Sequence, residues 1–309
     1  MMLLARTVLL FAVVPDPGIE AAHRSRCERS VVPSPRQTGC SIKTSEKLQQ
    51  WIEFQKQLAK EAAAFRPTEG RGPPPLILYG DSITEALRGT AIGQVTDRTE
   101  GIQQVLGSAF PGWRMPTVLA ISADETQHLL WRLNRSAGGE LSDAMCNDER
   151  LAISLLIGTN NLGNAKHSVA DAHAGMMAVA RDLLQRTRGK LLVNALLPRS
   201  QKLGDAAPMW RKKAFVSLMP SVRRVNALVN SSVRELATEF PGRVRVVDCG
   251  HIFQPAQADG SQSWGATRGK AEVNISLMPD ALHPNLLGTR LWTACVGHAL
   301  APWLPKLSL

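Results

Sequence analysis

Short runs of consecutive apolar residues alternate along this chain with longer stretches whose apolar positions recur every three to four residues. The segments 76–79, 117–121, 151–157, 190–196 and 243–248 are too short for helices and rich in apolar residues, continuously so at 76–79, which fits buried strands. Between and after them, helical spacing predicts helices near 84–88, 126–134, 168–188, 220–240 and 286–300. This β-α alternation predicts an α/β fold, a three-layer α/β/α sandwich around a mainly parallel five-stranded sheet. Upstream, Leu48, Trp51, Ile52, Gln55, Leu58 and Ala62 mark a further helix, with Thr44 or Ser45 placed to cap it. Residues 44–309 thus read as one domain with its own N-terminal helix, and 1–43 as a leader and flexible linker.

The leader has two readings. Residues 3–14 form an apolar stretch with one internal arginine, Arg6, ended by Pro15 and Pro17, which fits a cleavable signal or transit sequence and equally an unstructured leader. The stretch is too short to span a bilayer, so no transmembrane segment is expected. A cleaved signal implies a secreted or organellar protein, and its absence a cytoplasmic one. The Arg-, Ser- and Pro-rich stretch from His23 to Thr38 reads as flexible linker. Of five cysteines, Cys27 and Cys40 are spaced to close a small loop in an oxidising compartment, whereas Cys146, Cys249 and Cys295 read as ordinary small apolar residues of the domain.

Composition narrows the function classes. With 309 residues, 44% of them hydrophobic, the chain can bury a sizeable core. A net charge of +10 is largely dispersed, and a single tyrosine with no aromatic residues interleaved among basic ones argues against nucleic-acid binding. The seven histidines are scattered rather than paired at ligand spacing, so no metal is expected.

The candidate chemistry lies where the apolar runs end. The first run leads into Gly80-Asp81-Ser82, and Asp280-Ala281-Leu282-His283 stands near the C-terminus. A serine hydroxyl becomes an effective nucleophile when an imidazole takes its proton and a carboxylate orients that imidazole. Ser82, His283 and Asp280 can fill these roles, the Asp and His together because they lie three positions apart. The run ending at Ile157 leads into Gly158-Thr159-Asn160, and that ending at Ile121 into Ser122-Ala123-Asp124, so Asn160 and Ala123 fall on the same sheet edge as Ser82. The N–H groups of Ser82 and Ala123 and the Asn160 amide then form a three-point oxyanion hole.

These four strings, in this order, resemble the blocks of the SGNH (GDSL-type) hydrolases over roughly residues 72 to 305. Within that family, 124–133, Ile157-Gly158-Thr159-Asn160-Asn161, Leu196-Leu197-Pro198-Arg199 and 224–228 look most like the catalytic subunits of intracellular platelet-activating-factor acetylhydrolase. The resemblance implies a flavodoxin-like fold, serine esterase activity without a cofactor, and a small-molecule, lipid or carbohydrate ester as substrate. It leaves the oligomeric state open. One position departs from the pattern: Ala123 stands where the family has glycine. Alanine keeps the N–H donor, but a left-handed backbone there costs about 1 kcal/mol and a methyl group narrows the acyl pocket, which favours a short acyl group such as acetyl. The rival reading is a non-catalytic binding or interaction protein on the same fold.

Several neighbours of these strings have structural readings. Asp81 braces the nucleophile turn through backbone hydrogen bonds, as Thr126 and Gln127 do for the second block. His128 and Trp131 pack, and Glu85 with Arg88 forms an exposed helical face. The segments 202–219 and 254–278 read as long loops, either substrate rim or insertion.

Overall fold

The computed structural model describes residues 30–37, 44–67, 72–165, 167–202, 215–255 and 272–305. The leader over 1–29 and both Cys27 and Cys40 lie outside the described residues. Five strands form the sheet: β1 (Leu76–Gly80), β2 (Thr117–Ala120), β3 (Ala152–Leu156), β4 (Lys190–Asn194) and β5 (Val244–Val247). Their spatial order is β2-β1-β3-β4-β5 and every pairing is parallel. This is the doubly wound order whose reversal point, at the carboxyl ends of the strands beside β1, is where such sheets bind ligands.

Side chains along each strand alternate between two cores. Ile77, Tyr79, Leu119, Ile153, Leu155, Leu191 and Val193 face one layer, built from α1 (Ser45–Ala63), α3 (Thr126–Leu133), α5 (Val169–Arg186) and α6 (Met219–Glu239). Leu76, Leu78, Val118, Ala120, Leu156 and Leu192 face the other, where α7 (Leu286–Leu300) contributes Trp292, Val296 and Leu300. Two short helices complete the site: α2 (Ser82–Glu85) after β1 and α4 (Thr159–Gly163) after β3. Thr44 caps α1, accepting the Lys47 N–H.

Four expectations need correction. Residues 30–37, read as part of a flexible linker, are packed on the domain. Ser30 Oγ donates to the Asp171 carbonyl at 2.7 Å, the Ser34 N–H donates to that of Gln127 at 3.2 Å, and Arg36, 4% exposed, donates to the Ser122 carbonyl at 3.0 Å. Cys249 and Cys295 form a disulfide with Cα atoms 6.1 Å apart. It closes a 46-residue loop that contains Asp280 and His283, and cross-links of that size stabilise by about 3–4 kcal/mol. Only Cys146 of the domain's three cysteines is a free, buried thiol. The ends of the 202–219 segment are ordered as an antiparallel ribbon, Ser200–Lys202 against Phe215–Ser217, and residues 203–214 lie outside the described residues.

The fourth correction concerns Glu85 and Arg88. Glu85 is fully buried, accepting from Thr90 Oγ1 and from the N–H groups of Ile92, Gly93 and Ser122. Arg88 makes a bidentate pair with Glu61 on α1, both bonds at 2.8 Å, and donates to the Val118 carbonyl. Loop closure around α2, invisible to a local pattern, turns both side chains inward.

Candidate active site

Ser82 is the first residue of α2, directly after β1. Gly80 is required at the strand end because a Cβ there would meet the Leu156 carbonyl oxygen at 2.6 Å and Thr84 Oγ1 at 2.3 Å. Asp81 caps α2, accepting the Ile83 N–H at 3.1 Å. Ser82 Oγ lies 2.9 Å from His283 Nε2, across 201 residues of sequence. His283 Nδ1 lies 2.6 Å from Asp280 Oδ2, and Asp280 Oδ1 accepts the backbone N–H groups of Leu282 (3.0 Å) and His283 (2.7 Å). The turn that brings these together passes through Ala281, buried and left-handed at φ 60°.

Burial by itself raises the carboxyl of Asp280, but its hydrogen bonds from His283 and Leu282 and the His283 charge outweigh that and hold it down at about 2. Asp280 therefore remains an anion beside the imidazole throughout the working pH range.

The second and third blocks arrive on the strands flanking β1. Ala123 follows β2 and its φ of 65° places it in the left-handed region that a glycine adopts freely. Asn160 sits in α4, entered through Gly158 at φ 115°, where a Cβ would also collide with Met176 at 2.8 Å. One Asn160 Nδ2 hydrogen goes to the Asp124 carbonyl at 2.9 Å, which ties the two blocks together. Glu85 Oε2 takes the Ser122 N–H at 2.5 Å and so fixes the loop before Ala123 to the helix that carries Ser82. His128 is buried with Nδ1 accepting the Glu125 N–H at 2.9 Å, a helix-capping role, and Trp131 packs on Trp51 with ring centroids 5.8 Å apart. Thr126 Oγ1 donates to the Ser30 carbonyl, and Gln127 Nε2 to Glu125.

Beneath the Ala123 loop lies a group with no local sequence signal. Arg132, wholly buried, pairs with Asp124 at 2.8 Å and with Glu140 at 2.5 Å, and donates to the Leu119 carbonyl at 2.9 Å. Trp51 of α1 donates to the other Asp124 oxygen at 2.8 Å. Desolvation raises the Glu140 carboxyl, and the Arg132 charge works against it. Two cations also approach the site: Arg199, which ends one of the strings carrying the resemblance, and Arg98, which the sequence does not single out. Arg98 and Arg199 both lie in the field of Asp81 and Asp280, and for each, burial lowers the guanidinium while those carboxylates oppose it.

Asp81 is itself unusual. It is fully buried, its Oδ2 has no hydrogen-bond partner among the described residues, and desolvation pushes it up to about 7 against the Ile83 N–H and the Arg199 charge. A carboxyl that binds its proton more tightly folded than unfolded costs stability as pH rises from about 4 to about 7, and the cost persists above. Asp81→Asn, which retains the cap, is expected to gain on the wild type by about 1 kcal/mol or more between pH 4 and pH 8 in urea unfolding. A pH-independent difference between the two would contradict this assignment.

Among the described residues, no group of three or more His, Cys, Asp or Glu side chains is arranged to hold a metal, and no helix is long and apolar enough to cross a membrane. The voids of about 520 Å³ beside Met219 and Asp248 and about 670 Å³ between α1 and residues 103–118 are lined by neither Ser82 nor His283.

Ser82, His283 and Asp280 are thus linked in series at the reversal point of a parallel sheet. The model of the GDSL-like lipase/acylhydrolase family matches residues 78–291, more than half of the chain. The chain belongs to that family, the SGNH/GDSL hydrolases, and is a carboxylic ester hydrolase. Among solved structures it is similar to one from Streptococcus pneumoniae described as a candidate platelet activating factor (17% identity, 84% of this chain and 95% of that one, TM-score 0.47). A lipase/acylhydrolase from Enterococcus faecalis (14%, 76% and 100%, TM-score 0.42) and phospholipase A1 from Streptomyces albidoflavus (14%, 75% and 99%, TM-score 0.38) are further examples. Likenesses this distant leave the substrate open. No curated protein sequence matches the chain.

Proposed function

We propose that the chain is a serine esterase with Ser82 as nucleophile, His283 as general base and acid, and Asp280 as the group that orients the imidazole. The observation that carries this reading is the hydrogen-bond series Ser82 Oγ, His283 Nε2, His283 Nδ1, Asp280 Oδ2, at 2.9 and 2.6 Å. With the Nδ1–H donated to an ionised Asp280, Nε2 presents its lone pair to the serine proton. Ser82 Oγ attacks the ester carbonyl as Nε2 accepts that proton, and the resulting oxyanion is held by the N–H groups of Ser82 and Ala123 and by Asn160. The imidazolium then protonates the departing alkoxide. Water, deprotonated by the same nitrogen, attacks the acyl-enzyme, and collapse of that second intermediate returns the proton to Ser82 and releases the acid.

The acyl group is small. The Ala123 methyl occupies space that a glycine leaves empty, next to a proposed oxyanion donor. With p-nitrophenyl esters from acetate to longer chains, kcat/KM is expected to fall with acyl length, and Ala123→Gly to flatten that fall. Glycine also removes about 1 kcal/mol of left-handed strain while adding roughly 0.4–1 kcal/mol of unfolded-chain entropy, so the melting temperature should barely move. A length profile rising through octanoate in the wild type would rule out the short-acyl reading.

The disulfide between Cys249 and Cys295 supports an oxidising compartment, since such bonds persist there and not in a reducing cytosol. That favours the signal-sequence reading of the leader.

A further inference from the structure

A buried guanidinium lies behind the Asn160 amide. Arg199, 3% exposed, follows β4 and reaches across to the start of α4. Its Nη1 donates to the Thr159 carbonyl at 2.6 Å, the peptide that leads into Asn160, and Nη2 donates to Asn164 Oδ1 at 3.1 Å. Asn164 Nδ2 in turn donates to Asn160 Oδ1 at 3.0 Å. Gly163 makes room for this arrangement, because a Cβ there would fall 2.1 Å from Arg199 Cζ. Arg199 makes no ion pair among the described residues: its hydrogen bonds go to carbonyl and hydroxyl oxygens, and only the more distant Asp81 and Asp280 carboxylates offset the cost of burying its charge.

The geometry gives that cost a use. A carboxamide has one acceptor oxygen and two N–H donors, and its catalytic value depends on which end faces the reaction. Asn164 occupies the Asn160 oxygen, and the Asp124 carbonyl takes one N–H at 2.9 Å. The amide is thereby locked against flipping, with its second N–H uncommitted among the described residues. Building on the assignment of Ser82 as nucleophile, we propose that Arg199 and Asn164 are positioning residues of the oxyanion hole: Arg199 orients Asn164, and Asn164 fixes the Asn160 amide with nitrogen toward the oxyanion. The fixed positive charge of Arg199, beside the donor rather than in contact with substrate, adds to the field that favours negative charge there.

Asn164→Asp separates this role from packing. The aspartate still accepts from Arg199 but has no N–H for Asn160 Oδ1, and it draws the amide nitrogen toward itself. Asn164 is exposed, so the fold should tolerate the change. Expected is a fall in kcat of about tenfold or more with KM within about twofold, and little further loss when Asn160→Ala is added. Arg199→Lys, which keeps the charge and loses the two-pronged grip, is expected to lower kcat in the same direction. Wild-type kcat in Asn164→Asp, or losses from Asn164→Asp and Asn160→Ala that multiply in the double variant, would overturn the proposal. If Asn164→Asp does not fold, Asn164→Ala carries the same test. Ser82→Ala in the same series keeps the two readings apart: turnover in that variant removes the nucleophile assignment, whereas an inactive Ser82→Ala beside a full-rate Asn164→Asp overturns the positioning role alone.

Discussion

Ser82→Ala is expected to fold as the wild type does and to lose about four to six orders of magnitude in ester turnover. Both halves of that expectation come from the geometry. Among the described residues Ser82 Oγ has one hydrogen-bonding partner, the His283 nitrogen at 2.9 Å, and α2 is capped by Asp81 rather than by Ser82, so deleting the hydroxyl opens neither the helix nor the core. On the proposed mechanism it does remove the atom that would form the acyl-enzyme, and the donors that remain would only assist direct attack by water. The Ser82 and Ala123 N–H groups and the Asn160 amide persist in the variant, which is why a small residual rate above the uncatalysed one is expected. Initial rates on p-nitrophenyl acetate, with melting temperatures alongside, measure both halves. A folded Ser82→Ala protein within tenfold of the wild type is incompatible with the mechanism.

The second large effect is on stability. Arg132→Met should lower it by about 3–5 kcal/mol, because the methionine fills much of the volume but leaves Asp124 and Glu140 buried without their shared cation. In a chain of this size that corresponds to a fall of about 10 °C in the melting temperature. The ion pair need not be worth this much in itself; the loss comes from stranding its partners in a medium that does not solvate them. Asp124 adjoins Ala123 and its carbonyl holds the Asn160 amide, so activity should decline at temperatures below the point where the variant unfolds. An unchanged melting temperature in calorimetry would show that the carboxylates are compensated by other groups.

What could be read from the sequence was what local pattern encodes. Leu76 to Tyr79 is apolar without break and Leu151 to Ile157 is interrupted only by Ser154, because both sheet faces are covered, and that located these strands and the edge beyond them. Asp280 and His283 are three residues apart in one turn, so their pairing was a local property, as was the cap that Asp81 provides to α2. Glu85, Arg88 and Arg36 were misread because their partners, Ser122, Glu61 and again Ser122, are brought to them only by the packed fold. The Cys249 to Cys295 bond escaped for the same reason: β5 and α7 become neighbours through the sheet, and nothing in the spacing of two cysteines 46 residues apart announces it. At Ala123 the sequence raised the question of a left-handed backbone, and the φ of 65° answers it.

The central claim, that Ser82 is an activated nucleophile, is tested most directly by a fluorophosphonate, which phosphonylates a serine oxygen with loss of fluoride only where a base takes the proton and donors hold the oxyanion. Intact mass followed by peptide mapping of the treated full-length protein should show one adduct, on the peptide containing Ser82, and none in Ser82→Ala. A folded wild-type protein that takes up no label, or takes it up on a residue other than Ser82, would contradict the account.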